Sequence, residues 1–140
     1  MAKLDSLIRV RKHKVDQQQK VLADLYRRAE ALKQERDTLE TRLAIESETS
    51  KDVPPDMLRY FASFVKKMRK SIKTIDDKRE RLENQIKIAQ ERLRDAYAEQ
   101  KKVEIIHQRR KDAQKAEEQS KESQELDAIA IEGFRRKDDA

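Results

Sequence analysis

Val53-Pro54-Pro55-Asp56 is the stretch that decides the fold, because it contains the only two prolines in a chain of 140 residues. Neither proline can donate a backbone hydrogen bond, and Pro55 restricts Pro54 to an extended backbone, so a continuous helix cannot pass through them. The chain on both sides has a helix-forming composition, and its single glycine is Gly133. The sequence therefore predicts two long helices joined at a hairpin hinge.

A heptad pattern of mostly apolar residues, here called the seam, runs along both predicted helices. Before the hinge, spacings of four and three residues select Leu4, Ile8, Arg11, Val15, Gln18, Leu22, Leu25, Ala29, Leu32, Arg36, Leu39, Leu43 and Glu46. After the hinge they select Phe61, Val65, Met68, Ile72, Ile75, Arg79, Leu82, Ile86, Ala89, Leu93, Ala96, Gln100 and Val103. Such a sustained repeat is typical of a left-handed coiled coil.

Antiparallel folding about the prolines places the two halves of the seam opposite each other. The expected pairs, all centred near residue 54, are Leu43–Val65, Leu39–Met68, Leu32–Ile75, Leu25–Leu82, Leu22–Ile86 and Leu4–Val103. The predicted fold is all-α, a long antiparallel two-helix coiled-coil hairpin with an overhanging C-terminal helix. We expect one domain over residues 1–140, with helix one at about 4–48, a hinge at 49–56 and helix two at about 57–132.

Composition excludes several classes of protein. Charged residues make up 44% of the chain and apolar residues 36%, which is too little apolar material for a compact core and suits a long helical chain. No apolar run approaches the roughly 20 residues that span a bilayer, and the N-terminus does not resemble a signal peptide. The absence of cysteine excludes disulfides and thiolate zinc sites, as is usual in cytosolic proteins.

No constellation of residues indicates catalysis, a metal or a cofactor. A single glycine excludes a glycine-rich phosphate loop. His13 and His107 each have one acid three residues away but no further ligand on the same face. We interpret both as solvated histidines on helix surfaces, and we expect the protein not to be an enzyme.

Two basic patches are candidates for partner binding. Residues 9–14 contain four bases and a histidine, and residues 57–75 contain six bases and no acid. The candidate residues are Arg9, Arg11, Lys12, Lys66, Lys67, Arg69 and Lys70. We hypothesise that the second patch steers an acidic partner surface; the alternative is an ordinary solvated outer face. Nucleic-acid binding is not expected, because the overhang beyond the coil is slightly acidic rather than a continuous basic region.

The C-terminal part of helix two has no partner in the chain. The apolar seam ends at Val103, opposite Leu4, and residues 107–125 are almost wholly polar. Leu126, Ile129, Ala130 and Phe134 then fit one helical face. We expect residues 104–124 to fray in the free protein and this apolar face to dock on a partner.

The chain resembles the flagellar type III export protein FliJ family over nearly its full length. The resemblance includes the length, the proline-containing hinge and the N-terminal run Leu4-Asp5-Ser6-Leu7-Ile8-Arg9-Val10-Arg11-Lys12. It also includes the tail Glu125-Leu126-Asp127-Ala128-Ile129-Ala130-Ile131-Glu132-Gly133-Phe134-Arg135-Arg136, although the family often has an acidic residue in place of Ala128.

This resemblance implies a coiled-coil component of flagellum biogenesis and motility, similar to the central stalk of a rotary ATPase. The end that carries both termini would enter the pore of the hexameric export ATPase. The family also contacts the cytoplasmic domain of the export gate and escorts export chaperones, which implies a cytoplasmic location peripheral to the inner membrane. Two alternatives remain open, the equivalent stalk of an injectisome and a generic scaffolding coiled coil.

Overall fold

The chain folds as a helical hairpin, which confirms the predicted all-α class. A computed structural model describes residues 2–138, so that Met1, Asp139 and Ala140 of the predicted domain lie outside the described residues. Helix α1 covers Ala2–Thr49 and helix α2 covers Leu58–Asp138. Two short 3-10 turns, Ser50–Asp52 and Pro55–Met57, lie between them.

The reversal of the chain takes place at the two prolines, as the sequence predicts. Pro54 has φ −56° and ψ 152°, the extended conformation that a following proline imposes. Val53 is also extended, with φ −89° and ψ 139°. The Val53 N–H donates to the Ser50 carbonyl at 3.3 Å, and the Met57 N–H donates to the Pro54 carbonyl at 2.9 Å. The hinge is therefore two tight turns that flank two extended residues.

Packing divides the chain into two units. The hinge unit is His13–Ala96 and contains the complete reversal. The terminal unit combines α1 as far as Lys12 with α2 from Tyr97 onward.

In the hinge unit the two helices bury the predicted seam. Leu25, Leu82 and Ala89 form a buried cluster, so the expected partners Leu25 and Leu82 lie together. The residues packed against this cluster are Leu22, Ala29, Leu32 and Ile86. All seam positions of this unit are buried or half-buried except Glu46, which is exposed next to the hinge. The heptad spacing therefore identified which side chains face the opposite helix.

The terminal unit continues the same pattern over a shorter length. Val103 is buried, and Leu4 and Ile8 are half-buried. Gln100 is half-buried as well, and its amide nitrogen donates to Glu104 Oε1 at 2.9 Å within α2.

Arg36 shows how the hinge unit accommodates a charge on the seam. Its Nε donates to Asp76 Oδ1 at 2.6 Å and its Nη2 to Asp76 Oδ2 at 3.4 Å, so that the guanidinium is held across the two helices. Glu40, one turn further along α1, pairs with the same guanidinium. The hydrogen bond to Asp76 outweighs desolvation and raises the pKa of Arg36 above its ordinary value. A geometrically matched carboxylate therefore replaces part of the water that an exposed arginine would have.

Helix α2 continues through Gly133 to Asp138, beyond the end expected near residue 132. A glycine inside a helix costs only about 1 kcal/mol relative to alanine, which does not by itself end a helix. The last turn also carries Arg135, Arg136 and Lys137, and their positive charges are favourable at the C-terminal end of the helix dipole.

Replacing Leu82 by alanine should reduce the free energy of unfolding by about 2–4 kcal/mol, because the substitution opens a cavity in the buried cluster. The matched control is Ile88→Ala on the same helix, where the side chain is half exposed and the loss should stay below about 1 kcal/mol. Urea denaturation followed by circular dichroism measures both values. Equal losses for the two variants would contradict the register of the hairpin.

Candidate partner-binding surfaces

The basic residues near the hinge form one solvent-facing surface on α2, here called the basic face. Its six bases are Arg59, Lys66, Lys67, Arg69, Lys70 and Lys73, and all are exposed. None of them forms an ion pair with a carboxylate among residues 2–138. By contrast, Asp24 pairs with both Arg27 and Arg28 on α1. The basic face therefore keeps its charge uncompensated and open to solvent.

Aromatic residues gather at the hinge, a feature that sequence reasoning missed. An open cleft of about 350 Å³ is lined in part by Tyr60, Phe61 and Phe64, and the Arg42 guanidinium lies 5.5 Å from the centre of the Phe64 ring. Tyr60 is 75% exposed and Met57 is exposed beside it. The signal was available in the sequence, since three of the six aromatic residues lie between positions 60 and 64.

The basic residues proposed at the N-terminal end differ in their surroundings. Arg9 and Lys12 are exposed, whereas Arg11 is half-buried at its seam position. The Nε of Arg11 is buried and has no hydrogen-bond partner among the described residues. Arg9 and Lys12 are therefore accessible to a partner, and the stem of Arg11 contributes to packing. Partner binding by all three stays a prediction.

The interpretation of His107 as a solvated histidine is wrong. Its side chain is only 14% exposed, and its Nε2 lies 3.4 Å from Asp5 Oδ1 on α1. Its Nδ1 is buried and has no hydrogen-bond partner among residues 2–138. His107 occupies the position four residues after Val103, so the seam extends one step further than its apolar members indicate. His13, by contrast, is exposed as expected.

Beyond His107, every described residue of α2 is exposed. Leu126, Ile129 and Phe134 are 66–70% exposed, and Ala130 is exposed between them. Their spacing puts these four residues on one side of the helix, here called the C-terminal apolar face. Side-chain contacts in this segment are local, as between Lys121 and Glu117 at 3.6 Å. The C-terminal apolar face is therefore uncovered within the described chain.

The terminal unit also exposes apolar side chains outside the seam. Val10 on α1 is 61% exposed, and Ile105 and Ile106 on α2 are about half exposed. Their exposure agrees with the heptad pattern, because all three fall between seam positions.

A family model described as flagellar FliJ protein matches residues 1–139. The chain belongs to the flagellar FliJ family. Members of this family are non-enzymatic components associated with flagellar type III export. No match was found among curated proteins or among solved structures.

Two further observations bear on the chemistry of this FliJ-family chain. Across residues 2–138, no group of three or more His, Asp or Glu side chains is arranged to hold a metal ion. None of the helices in that range combines the length and apolarity that a membrane-spanning segment requires. The exposed faces of the coil are accordingly the features on which a function can be argued.

Replacing His107 by alanine should loosen the start of α1, because it removes the contact with Asp5. Losing this contact with the half-exposed Asp5 carboxylate, worth about 0.5–1 kcal/mol, should speed amide exchange of residues 6–12 about two- to fivefold. Hydrogen exchange measured by mass spectrometry checks this. His13→Ala is the matched control and should leave that segment unchanged; identical exchange in the two variants would contradict the role of His107.

Proposed function

We propose that this chain is a central-stalk-like coiled coil that engages the hexameric export ATPase of the flagellar type III export apparatus. The observation that carries the proposal is the uncovered C-terminal apolar face, where Leu126, Ile129 and Phe134 are 66–70% exposed. Burial of such side chains stabilises a complex by about 25 cal/mol per Å² of apolar surface before the costs of association. Family membership supports a partner within the export apparatus.

The terminal unit is the end that we propose to enter the ATPase ring. It contains the start of α1, with Arg9 and Lys12 exposed, and the long exposed part of α2. A free helix with one apolar face can be inserted against the inner surface of a ring without unfolding the coil. Contacts at Arg9 and Lys12 add long-range attraction to acidic groups on the ring.

We also propose that the segment after His107 becomes more ordered when it binds a partner. Residues 108–138 have no tertiary contacts that bury them, and their stabilising contacts are local ion pairs and hydrogen bonds. Isolated helices with little packing are marginal in water. The segment should therefore gain order when the C-terminal apolar face docks, at an entropic cost that weakens the affinity.

The remaining roles are proposed from membership in the family. The chain contacts the cytoplasmic domain of the export gate and escorts export chaperones, and it does so in the cytoplasm, peripheral to the inner membrane at the flagellar base. It acts by binding and requires neither catalysis nor a cofactor. The exposed outer faces of the coil are compatible with several partners, since the buried seam supplies its stability.

Deleting residues 120–140 should leave thermal unfolding of the coil nearly unchanged and abolish stimulation of the export ATPase. The unfolding should be insensitive because every described residue in the deleted stretch is exposed. Phosphate release by the ATPase, with and without the chain, measures stimulation. Normal stimulation by the truncated chain would reject the proposed role.

A point substitution sharpens this test. Ile129→Asp changes the C-terminal apolar face, whereas Ile131→Asp lies to one side of it, and the two side chains are equally exposed at 68% and 69%. Ile129→Asp should reduce stimulation about tenfold or more, and Ile131→Asp should reduce it much less. Equal effects would show that general hydrophobicity, not this face, is what the ATPase requires.

A further inference from the structure

We propose that the basic face of α2 docks on an anionic lipid bilayer, with Leu58 and Tyr60 entering its interface. The proposal does not depend on engagement of the export ATPase, because it uses only residues of the hinge unit. No helix in this chain has to span the membrane for such a contact.

The charge arrangement is the first reason. Six exposed bases lie between Met57 and Ile75 with no acid among them, and none is paired to a carboxylate of residues 2–138. At 100° per residue, five of them occupy about 100° of the side of α2 turned away from the seam, and Lys67 widens that arc to about 160°. Clusters of four to eight bases on one helix face are typical of contacts with anionic headgroups.

The charge of the opposite helix, α1, is the second reason, because it determines which side of the hairpin would face the membrane. The part of α1 that faces this stretch, residues 35–48, contains five acids and two bases. Arg36 is one of those two bases, and it is held by Asp76 and Glu40. An anionic surface would therefore repel the α1 side and attract the α2 side, so that the hairpin would lie with α2 toward the membrane.

The apolar residues at the start of α2 are the third reason. Tyr60 is 75% exposed and Leu58 is 48% exposed, and at the hinge end of the basic face they lie on its two opposite edges. An aromatic ring with a polar hydroxyl is well suited to the boundary between headgroups and acyl chains. Two shallow insertions combined with a polybasic surface fit reversible attachment, not permanent anchoring.

The composition of the face favours lipid over protein or nucleic acid. The residues between its bases are small, namely Ala62, Ser63 and Thr74, and all are exposed. A specific protein interface usually has large anchors near its centre, and this face has none. A convex helix side also lacks the groove and stacking surfaces used for single-stranded nucleic acid. A lipid surface with diffuse negative charge requires neither large anchors nor a groove with stacking surfaces.

Co-sedimentation with vesicles tests the proposal on the full chain. At low ionic strength the chain should pellet with phosphatidylcholine vesicles that contain phosphatidylglycerol, and remain in solution with phosphatidylcholine alone. The triple variant Lys66→Gln, Arg69→Gln and Lys70→Gln should lose about a hundredfold in affinity. The control variant Lys20→Gln, Lys33→Gln and Lys87→Gln removes the same charge from exposed positions elsewhere in the hinge unit and should lose only about threefold.

Tryptophan fluorescence separately tests whether residue 60 inserts into the bilayer. The chain contains no tryptophan, so Tyr60→Trp introduces a unique fluorophore whose emission should shift to the blue on anionic vesicles. Circular dichroism of every variant should match the unaltered chain, because all substituted side chains are exposed.

Three results would overturn the proposal. The first is a chain that stays in solution with anionic vesicles at low ionic strength. The second is an equal loss for the two triple variants, which would make net charge the only determinant. The third is undiminished vesicle binding by the Lys66 triple variant together with its loss of export-gate or ATPase binding, which would assign the face to an acidic protein. An unshifted emission from the vesicle-bound Tyr60→Trp variant would overturn the insertion of that residue.

Discussion

Burial of the seam between α1 and α2 is the interaction on which the rest of the structure depends. Each helix alone presents a narrow apolar stripe to water, and a helix with little packing is only marginally stable. In the hinge unit each stripe covers the other, and Leu25, Leu82 and Ala89 form a buried cluster between them. Pro54 and Pro55 allow this within one chain, because a helix cannot continue through them and the second helix can start in the opposite direction.

Polar residues on the seam narrow the ways in which the two helices can pair. Arg36 fits only where a carboxylate from α2 is within reach, and Asp76 meets it with two hydrogen bonds. A shift of one heptad in one direction would put Arg69 in the place of Asp76, so that the Arg36 guanidinium would lose its partner on α2 and face a like charge. In the terminal unit, His107 makes a second contact between the helices, to Asp5. Apolar packing supplies stability, and these pairs add specificity.

Because the seam is a thin strip, most of the surface is free for partners. The hinge unit exposes the basic face of α2 and the aromatic residues beside the hinge, whereas the terminal unit exposes Arg9, Lys12 and the C-terminal apolar face. These surfaces differ in chemistry: one is basic and suited to a diffuse anionic surface, and another is apolar and suited to a protein groove. A two-helix coil can thus serve different partners without changing its own core.

The sequence by itself determined the hairpin, the hinge, the seam residues and the exposed C-terminal apolar face. These features follow from heptad spacing and from the backbone restrictions of proline, which act within a short segment and do not depend on tertiary contacts. The tertiary structure alone decided which charges meet across the helices. Asp76 lies one turn away from the seam position opposite Arg36, and no sequence pattern marks it as the partner. The prediction for His107 was wrong for the same reason: its nearest acid in sequence is Glu104, but the carboxylate that it reaches is Asp5, about a hundred residues earlier. Long-range contacts of this kind depend on how two distant segments pack, and the spacing within either segment does not contain that information.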